Sequence, residues 1–295
     1  MSLLSTLRFI LDHPLNSGDR LGSLWRFASW QMGARLVPGP VAVDFVEGTR
    51  LLVSPGQAGA TGNIYAGLHE LSEMGFVLHL LREGDLFADV GANIGSYTIL
   101  AAGSVGAHVI SFEPGGEAFR ILRDNVRLND LGALVEIRNE AVGASVGEVD
   151  FTEGGDTVNR VALPSETRRS TRVSMNTLDN ALAGRIPAVM KIDVEGFESR
   201  VIAGASATIA DQRLQAIIIE TNGSGTVYGA NDSELHAAII QRGFTACAYD
   251  PFARKLTTVA APSASGNTIY ARDIEAASRR VEVARKFSIA GHGFL

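Results

Sequence analysis

The hydrophobic pattern divides the chain into two unlike parts. In residues 1–37 apolar residues recur at helical spacing, and two short apolar runs at 41–46 and 50–53 flank an EG turn, which predicts a β-hairpin. The Gly-rich segment 54–67 predicts a loop, and the segment 67–84 predicts an amphipathic helix. Together these elements predict a helical and hairpin cap over residues 1–80.

From residue 86 onward, apolar runs of strand length alternate with helical segments. The predicted strands are 86–90, 108–112, 134–138, 188–192, 214–220, 244–250 and 266–272. Repeated strand–helix–strand units predict an α/β fold over residues 81–273, with a mostly parallel sheet and helices on both faces. Residues 274–295 predict a solvated helical tail, because Glu275 and Arg279, and Glu282 and Lys286, are spaced i,i+4.

Composition narrows the classes of partner. The 295 residues carry a formal net charge of -6 without a basic cluster, which predicts no nucleic-acid partner. The single Cys247 excludes a disulfide within the chain and favours a reducing compartment. No signal-peptide pattern and no uncharged apolar stretch of bilayer length is present, so we expect a cytoplasmic protein without a membrane partner.

A glycine turn, DVGANIG at 89–95, lies between a predicted buried strand and a helix. Ligands of open α/β sheets bind at the carboxyl ends of strands, where glycine permits close approach and the helix offers free N–H groups. Glu113 ends the next strand, where a carboxylate can accept hydrogen bonds from ribose hydroxyls. Because only Gly91 and Gly95 are present, the turn does not complete the dinucleotide G-x-G-x-x-G pattern.

The motifs DVGANIGSYTILAA, FEP, NEAVG, NTLD and MKIDVEGFESRVIAGA follow one another within residues 65–272. In this order and spacing they resemble the FkbM family of S-adenosylmethionine-dependent methyltransferases. The resemblance implies a Rossmann-like class I methyltransferase sheet of seven strands, the last antiparallel. It implies S-adenosylmethionine as cofactor, with Glu113 on the ribose diol and residues 139–141 beside the adenine. The implied cofactor residues are Asp89, Gly91, Ala92, Asn93, Gly95, Glu113, Pro114, Asn139, Glu140, Ala141 and Asp193.

The segment KIDVEGFE at 191–198 places three carboxylates directly after an apolar strand. Asp193 and Glu195 are the candidate catalytic residues, although Glu195 is alternatively an exposed acid in a tight turn. Glu198 falls in the first helical turn, where an acid complements the helix dipole, so we favour a structural role for it. Gly196 permits the turn between them.

A metal is a second hypothesis for the same cluster. Glu220 ends the neighbouring strand, and oxygen ligands from two strand ends suit Mg²⁺. In that arrangement Asp193 and Glu220 would ligate Mg²⁺ and Glu195 would act as base. We favour the hypothesis that these carboxylates bind the cofactor or the substrate directly, without a metal.

Candidate acceptor residues are Tyr65, His69 and Glu70, which precede the sheet at the position where the family closes over its cofactor. The other histidines give no metal pattern and predict packing or surface roles. Arginines cluster in the insertion at 150–175, where a solvated charge run is favoured over an anion-binding site.

The resemblance to the FkbM family implies an O-methyltransferase that uses S-adenosylmethionine and acts on a hydroxyl of a sugar, glycan or secondary metabolite. Its partner would be a small-molecule or carbohydrate acceptor. Two alternatives stay open: an NAD-dependent oxidoreductase, and a non-catalytic cofactor-binding protein on the same fold.

Overall fold

The computed structural model describes residues 3–37, 39–154, 159–163, 165–264 and 266–295. Pro38 and residues 155–158 and 164 of the insertion lie outside this description. The helices are α1 (Leu3–Asp12), α2 (Arg20–Leu36), α3 (Ala58–Ala66), α4 (Leu71–Leu80), α5 (Ser96–Ile99), α6 (Gly116–Leu128), α7 (Leu178–Leu182), α8 (Glu198–Ala203), α9 (Ser206–Ala210), α10 (Asp232–Ile240) and α11 (Ile274–Glu282). A π-helical segment (Leu100–Val105) continues α5, and 3₁₀ turns cover Pro14–Asn16 and Ser224–Tyr228.

Fifteen strands are present in the described part of the chain. They are β1 (Val41–Asp44), β2 (Arg50–Val53), β3 (Leu86–Val90), β4 (His108–Phe112), β5 (Val135–Arg138), β6 (Ala141–Val142), β7 (Gly147–Thr152), β8 (Ser170–Asn176), β9 (Val189–Ile192), β10 (Ala216–Thr221), β11 (Thr245–Asp250), β12 (Lys255–Thr258), β13 (Gly266–Ala271), β14 (Ser288–Ile289) and β15 (Gly293–Phe294).

Eight of these strands form the central sheet, in the order β12-β11-β13-β10-β9-β3-β4-β5. The five strands from β10 to β5 pair in parallel, whereas β13 is antiparallel to both β10 and β11. The seven predicted strands and the antiparallel last strand are therefore confirmed, within a Rossmann-like α/β fold. An eighth strand, β12, was not predicted; it extends the edge through a hairpin with β11.

Alternation along the central strands gives the sheet two different faces. Phe87 and Val189 pack into the core that contains α4 and the N-terminal helices, and Ala88 and Met190 pack into the core on the opposite face. Because side chains alternate along a strand, Asp89 and Lys191 lie on the same face as Phe87 and Val189. Two polar side chains therefore enter the cap side of the sheet close to the strand ends.

Three predicted elements differ in the structure. The predicted loop 54–67 contains helix α3. Gly59, Thr61, Gly62 and Asn63 have low helix propensity, but the helix packs against α2 and β2, so tertiary packing overrides that propensity. Helix α4 is not amphipathic, since every residue from Met74 to Leu80 is buried. Buried helices need no polar face.

The tail is also more than a solvated helix. Helix α11 is confirmed, with Ala277 and Val281 buried, but it ends at Glu282, so Lys286 lies beyond it. Strands β14 and β15 then pair with each other, and Ile289 bridges to Val46 beside the N-terminal hairpin. The cap, the sheet and the tail share one continuous apolar core.

No helix in the described ranges is long and apolar enough to cross a membrane.

Candidate active site

A cavity of about 320 Å³ opens at the carboxyl ends of β3, β4, β9 and β10, beneath α3. Its lining brings together most of the predicted site residues: Asp89, Gly91, Ala92, Asn93, Glu113, Pro114, Glu140, Ala141, Asp193, Glu195, Glu220, His69 and Glu70. Segments far apart in sequence therefore meet at one edge of the sheet, as expected for strands of an open parallel sheet.

The glycine turn packs directly against the end of β9. Gly91 has φ of 84°, and a Cβ atom at this position would lie 1.8 Å from the carbonyl oxygen of Asp193. The backbone N–H groups of Gly91 and Ala92 both donate to the Phe112 carbonyl at 3.0 Å, which fixes the turn to β4. A residue with a side chain would separate the two motifs, so glycine is required here for close approach.

Glu113 is buried and holds the turn through both carboxyl oxygens. The Asn93 N–H donates to Oε2 at 2.8 Å, and the Gly115 N–H donates to Oε1 at 2.7 Å. Burial raises the pKa of Glu113 to about 7 despite these two hydrogen bonds. Each carboxyl oxygen has a second lone pair, so Glu113 can still accept hydrogen bonds from a ligand diol.

Asp89 lies at the floor of the cavity and is 1% exposed. Its Oδ2 accepts a hydrogen bond of 2.6 Å from the Thr98 hydroxyl, which also contacts the Ser111 hydroxyl at 2.7 Å. Burial raises the pKa of Asp89 to about 6, and the nearby Lys191 cation opposes this shift. A cationic ligand would favour the ionised carboxylate further.

Lys191 crosses the cap-side face of the sheet and is a functional residue that the sequence analysis missed. Its Nζ lies 2.6 Å from Asp193 Oδ2 and 4.7 Å from the centre of the Tyr97 ring. Burial alone would lower the pKa of Lys191, but Asp193, Glu70 and Asp89 reverse this effect and raise it. A lysine inside the apolar run VMKI is the signal that could have identified it, because lysine is almost never buried unpaired.

Glu70 connects the cap to this network. Its Oε2 accepts a hydrogen bond of 2.6 Å from the Tyr97 hydroxyl, and its Oε1 accepts one of 2.7 Å from Asn267 Nδ2 on β13. Glu70 therefore links α4 to both α5 and the sheet at the wall of the cavity.

Three carboxyl groups form the other wall of the cavity. One carboxylate oxygen each from Asp193, Glu195 and Glu220 lie within 4.8 Å of one another. Residue 220 follows Ile219, which pairs with Ile192, so the parallel register of β9 and β10 places Glu220 beside Asp193. This juxtaposition of Asp193 and Glu220 agrees with the expectation from the sequence.

Burial and mutual repulsion keep this cluster partly protonated. Burial, with Asp193 and Glu198 nearby, raises the pKa of Glu195 to about 7. The same causes raise the pKa of Glu220 to about 9, and its buried Oε2 has no hydrogen-bond partner among the described residues. Glu195 has φ of 54°, a left-handed conformation that is uncommon for a residue with a side chain.

Glu198 lies behind this cluster rather than in the cavity. Its Oε1 accepts hydrogen bonds from the backbone N–H groups of Val194 at 3.0 Å and Gly196 at 3.2 Å. It therefore holds the turn at the start of α8, as the structural interpretation of this residue predicts.

Three of the predicted site residues do not line the cavity. Gly95 begins α5 and packs against Leu122. Asn139 donates from Nδ2 to the carbonyls of Glu113 and Pro114, at 2.8 and 3.1 Å, and so joins two strand-end loops. Tyr65 is a buried residue of α3, and its hydroxyl accepts a hydrogen bond of 2.9 Å from Gln31 Nε2 on α2.

The insertion contributes neutral rather than cationic groups to the lining. Phe151, Asn159 and Val161 line the cavity. Arg160 and Arg168 instead pair with Glu166, each at 3.3 Å. These ion pairs are consistent with the favoured interpretation of the arginine cluster as a solvated charge run.

Comparison with known proteins decides the family. Residues 89–250, more than half of the chain, match the methyltransferase FkbM domain model. The chain belongs to the FkbM methyltransferase family. The match begins at Asp89 in the glycine turn and includes the whole carboxylate cluster.

One characterised relative is the hexuronic acid methyltransferase AglP of Haloferax volcanii, which is 29% identical over 146 residues. The alignment covers 49% of this chain and 59% of that protein. Among solved structures, methyltransferase FkbM from Methylobacillus flagellatus is 16% identical, with a TM-score of 0.46 over 72% of this chain and 52% of that chain. Precorrin-6y C5,15-methyltransferase from Geobacter metallireducens is 14% identical, with a TM-score of 0.39 over 69% of this chain and 88% of that chain.

Proposed function

We propose that this FkbM family member is an S-adenosylmethionine-dependent O-methyltransferase whose acceptor is a hydroxyl of a sugar, glycan or secondary metabolite. The observation that carries the proposal is that the glycine turn, Glu113 and the carboxylate cluster all line one cavity. A sugar acceptor is supported by the partial similarity to a hexuronic acid methyltransferase. A cytoplasmic location remains a prediction.

The charge of the cavity fits a cationic cofactor. Seven carboxyl side chains line it, and Lys191 is the one lysine or arginine among the described lining residues. S-adenosylmethionine supplies a methyl group on a positively charged sulfonium and also carries an ammonium. Glu113 would hold its ribose hydroxyls, and Asp89 would lie at its amino-acid end. Pro114, Glu140 and Ala141 would surround the adenine.

Glu195 is the proposed general base. Its pKa of about 7 suits a group that removes a proton from a hydroxyl near neutral pH. Asp193, held by Lys191, would orient the acceptor by accepting a hydrogen bond from a second hydroxyl. In the reaction, the acceptor oxygen gains the methyl group and its proton passes to Glu195. Positioning the oxygen in line with the breaking bond contributes much of the rate.

Mg²⁺ bound by Asp193 and Glu220 remains the alternative for this wall of the cavity. The donor set of carboxylate oxygens is suitable for Mg²⁺. One observation disfavours it: Lys191 already pairs with Asp193 Oδ2. A chelator distinguishes the two alternatives. A metal-dependent enzyme would lose turnover in EDTA, whereas the metal-free reaction would continue unchanged.

The experiment that tests the proposal measures transfer of a labelled methyl group from S-adenosylmethionine to a panel of uronic acid, hexose and oligosaccharide acceptors. Glu195→Gln should lower kcat about 10²- to 10⁴-fold and change S-adenosylmethionine affinity less than about threefold. Wild-type kcat/KM, which reports the free enzyme, should rise with pH up to about 7 and then level off. An active Glu195→Gln enzyme with the wild-type pH profile would remove Glu195 as base.

Family membership favours the methyltransferase over the NAD-dependent oxidoreductase. The incomplete glycine pattern of residues 89–95 points the same way. A non-catalytic cofactor-binding role would be indicated by S-adenosylmethionine binding without any methyl transfer across the acceptor panel.

A further inference from the structure

A second cavity, of about 390 Å³, lies between α1, α2 and α3 on the cap side of His69. We call it the aromatic chamber, and the lining residues used below are Phe9, Phe27, Trp30, Ala34, Tyr65 and His69. The proposed reaction leaves it unused.

The aromatic chamber adjoins the cavity beneath α3, which we call the reaction cavity, and the two meet at one side chain. His69 lines both cavities, and its backbone N–H donates to Asn63 Oδ1 at 2.8 Å. Gly62 lies so close behind the ring that a Cβ atom there would be 2.2 Å from His69 Nδ1. Burial lowers the pKa of His69, so the dividing wall is a neutral imidazole.

The two cavities differ sharply in chemistry. No carboxyl group lines the aromatic chamber among the described residues, whereas seven line the reaction cavity. Phe27 and Tyr65 pack edge to face at 5.2 Å, and Phe9 lies 5.2 Å from the His69 ring. The Tyr65 hydroxyl is already satisfied by Gln31, so the ring presents mainly apolar surface. Most of the other lining side chains are aromatic or aliphatic, although the lining also includes Thr6, Gln31, Arg35 and Thr61. Walls that are mainly aromatic and aliphatic are typical of sites for hydrophobic ligands.

The rim of the chamber carries an exposed leucine beside an arginine. Leu3 lines it and is nevertheless 64% exposed, and Arg35, on the same rim, is exposed. An exposed leucine beside an aromatic cavity leaves apolar surface in water that a ligand would cover.

We propose that the aromatic chamber binds an uncharged, hydrophobic part of the acceptor, such as an alkyl chain or fused rings, while its hydroxylated part occupies the reaction cavity. This inference rests on the proposed function, and it narrows the acceptor to an amphipathic molecule. Free hydrophilic sugars would fill the reaction cavity alone and bind weakly.

The test uses a series of alkyl β-D-glucosides, from methyl to hexyl, below their micellar concentrations. Their affinities for the full chain loaded with S-adenosylhomocysteine are measured by ligand-observed NMR titration. Burial of a methylene group is worth at most about fourfold in affinity, so hexyl glucoside should bind at least about tenfold more tightly than methyl glucoside.

Ala34→Phe should fill the chamber and weaken the binding of hexyl glucoside by at least about fivefold. The affinities for methyl glucoside and S-adenosylhomocysteine should not change. Ala34→Leu should give a smaller loss in the same direction and serves if the larger variant does not fold. Met32→Phe is the matched control, because Met32 lies on α2 outside the chamber and is 54% exposed. It should leave every affinity unchanged.

Two results would overturn the proposal. One is affinity that does not depend on alkyl length while S-adenosylhomocysteine still binds. The other is length dependence that survives Ala34→Phe and Ala34→Leu but is lost in Trp25→Ser, which would place the alkyl chain on the exposed face of α2, where Trp25 is 68% exposed. If the wild-type chain did not bind S-adenosylhomocysteine at all, that result would instead count against the proposed function.

Discussion

The carboxyl groups of the reaction cavity are stabilised to very different extents. Glu113 accepts two backbone hydrogen bonds and Asp193 pairs with Lys191, whereas a buried oxygen of Glu220 has no partner among the described residues. Leaving such an oxygen unpaired is costly, and protonation reduces the cost by removing its charge. The ionised form of Glu220 therefore lowers the stability of the folded protein.

Glu220→Gln should stabilise the unliganded protein at pH 8 and have little effect at pH 5. The folded-state pKa of about 9 lies above the ordinary value of 4.5, so the stabilising effect of the neutral carboxyl is complete below pH 4.5 and is lost as the pH rises toward 9. Glutamine is neutral throughout. We expect the free energy of unfolding, from urea denaturation, to rise by about 1–3 kcal/mol at pH 8.

Equal effects of Glu220→Gln at the two pH values would contradict a raised pKa at this residue. Glu83→Gln is a matched control, because this acid is exposed, lies between α4 and β3, and should change stability by less than about 0.5 kcal/mol at either pH.

At the scale of elements, the site depends on two strand-end turns in contact. The turn after β3 and the turn after β9 touch where Gly91 meets the Asp193 carbonyl. Neighbouring parallel strands bring these turns together, and the absence of a side chain at residue 91 sets how closely they approach. Cofactor and acceptor residues are thereby held at a fixed separation.

Gly91→Ala should disrupt this contact. The new methyl group would meet backbone 1.8 Å away, at a φ of 84° that L-residues rarely adopt. We expect a loss of at least about 2 kcal/mol in the free energy of unfolding and loss of S-adenosylhomocysteine binding by calorimetry. Gly116→Ala is the matched control, since a Cβ at Gly116 in α6 would meet nothing within 4 Å. Wild-type binding by Gly91→Ala would refute the role of the close approach.

The sequence predicts the elements of the sheet much better than those of the cap. Strands such as 86–90 and 108–112 are mostly apolar and buried from their second residue onward, and they appear with those bounds because a buried parallel strand needs no polar face. Helix α3 is hidden by Gly59 and Gly62, whose low helix propensity is overridden by packing against α2 and His69. The motifs bring Asp89, Glu113 and Asp193 into one cavity, whereas the pairing of Lys191 with Asp193 becomes visible only in three dimensions.

At the scale of the whole molecule, the reaction cavity concentrates negative charge in a chain of net charge -6. Burial and proximity raise the pKa of Asp89 to about 6 and those of Glu113 and Glu195 to about 7, so these groups are partly protonated near neutral pH. A bound cation favours their ionised forms and lowers these pKa values.

Binding of S-adenosylmethionine at pH 7 should therefore release about 0.5–1 proton per protein molecule. Calorimetry in two buffers with different ionisation enthalpies measures this number. S-adenosylhomocysteine lacks the sulfonium charge and should release fewer protons. Proton uptake, or equal release by the two ligands, would contradict a cavity whose carboxyl groups respond to the sulfonium.

We infer that the cavity beneath α3 binds S-adenosylmethionine through Glu113. Calorimetric titration of S-adenosylmethionine and NAD into the wild-type protein, Glu113→Ala and the exposed control Glu117→Ala tests it most directly. We predict that the wild type binds S-adenosylmethionine but not NAD, that Glu113→Ala weakens binding about 10- to 100-fold, and that Glu117→Ala has no effect. Binding of NAD, or equal S-adenosylmethionine affinities for the wild type and Glu113→Ala, would contradict S-adenosylmethionine binding through Glu113.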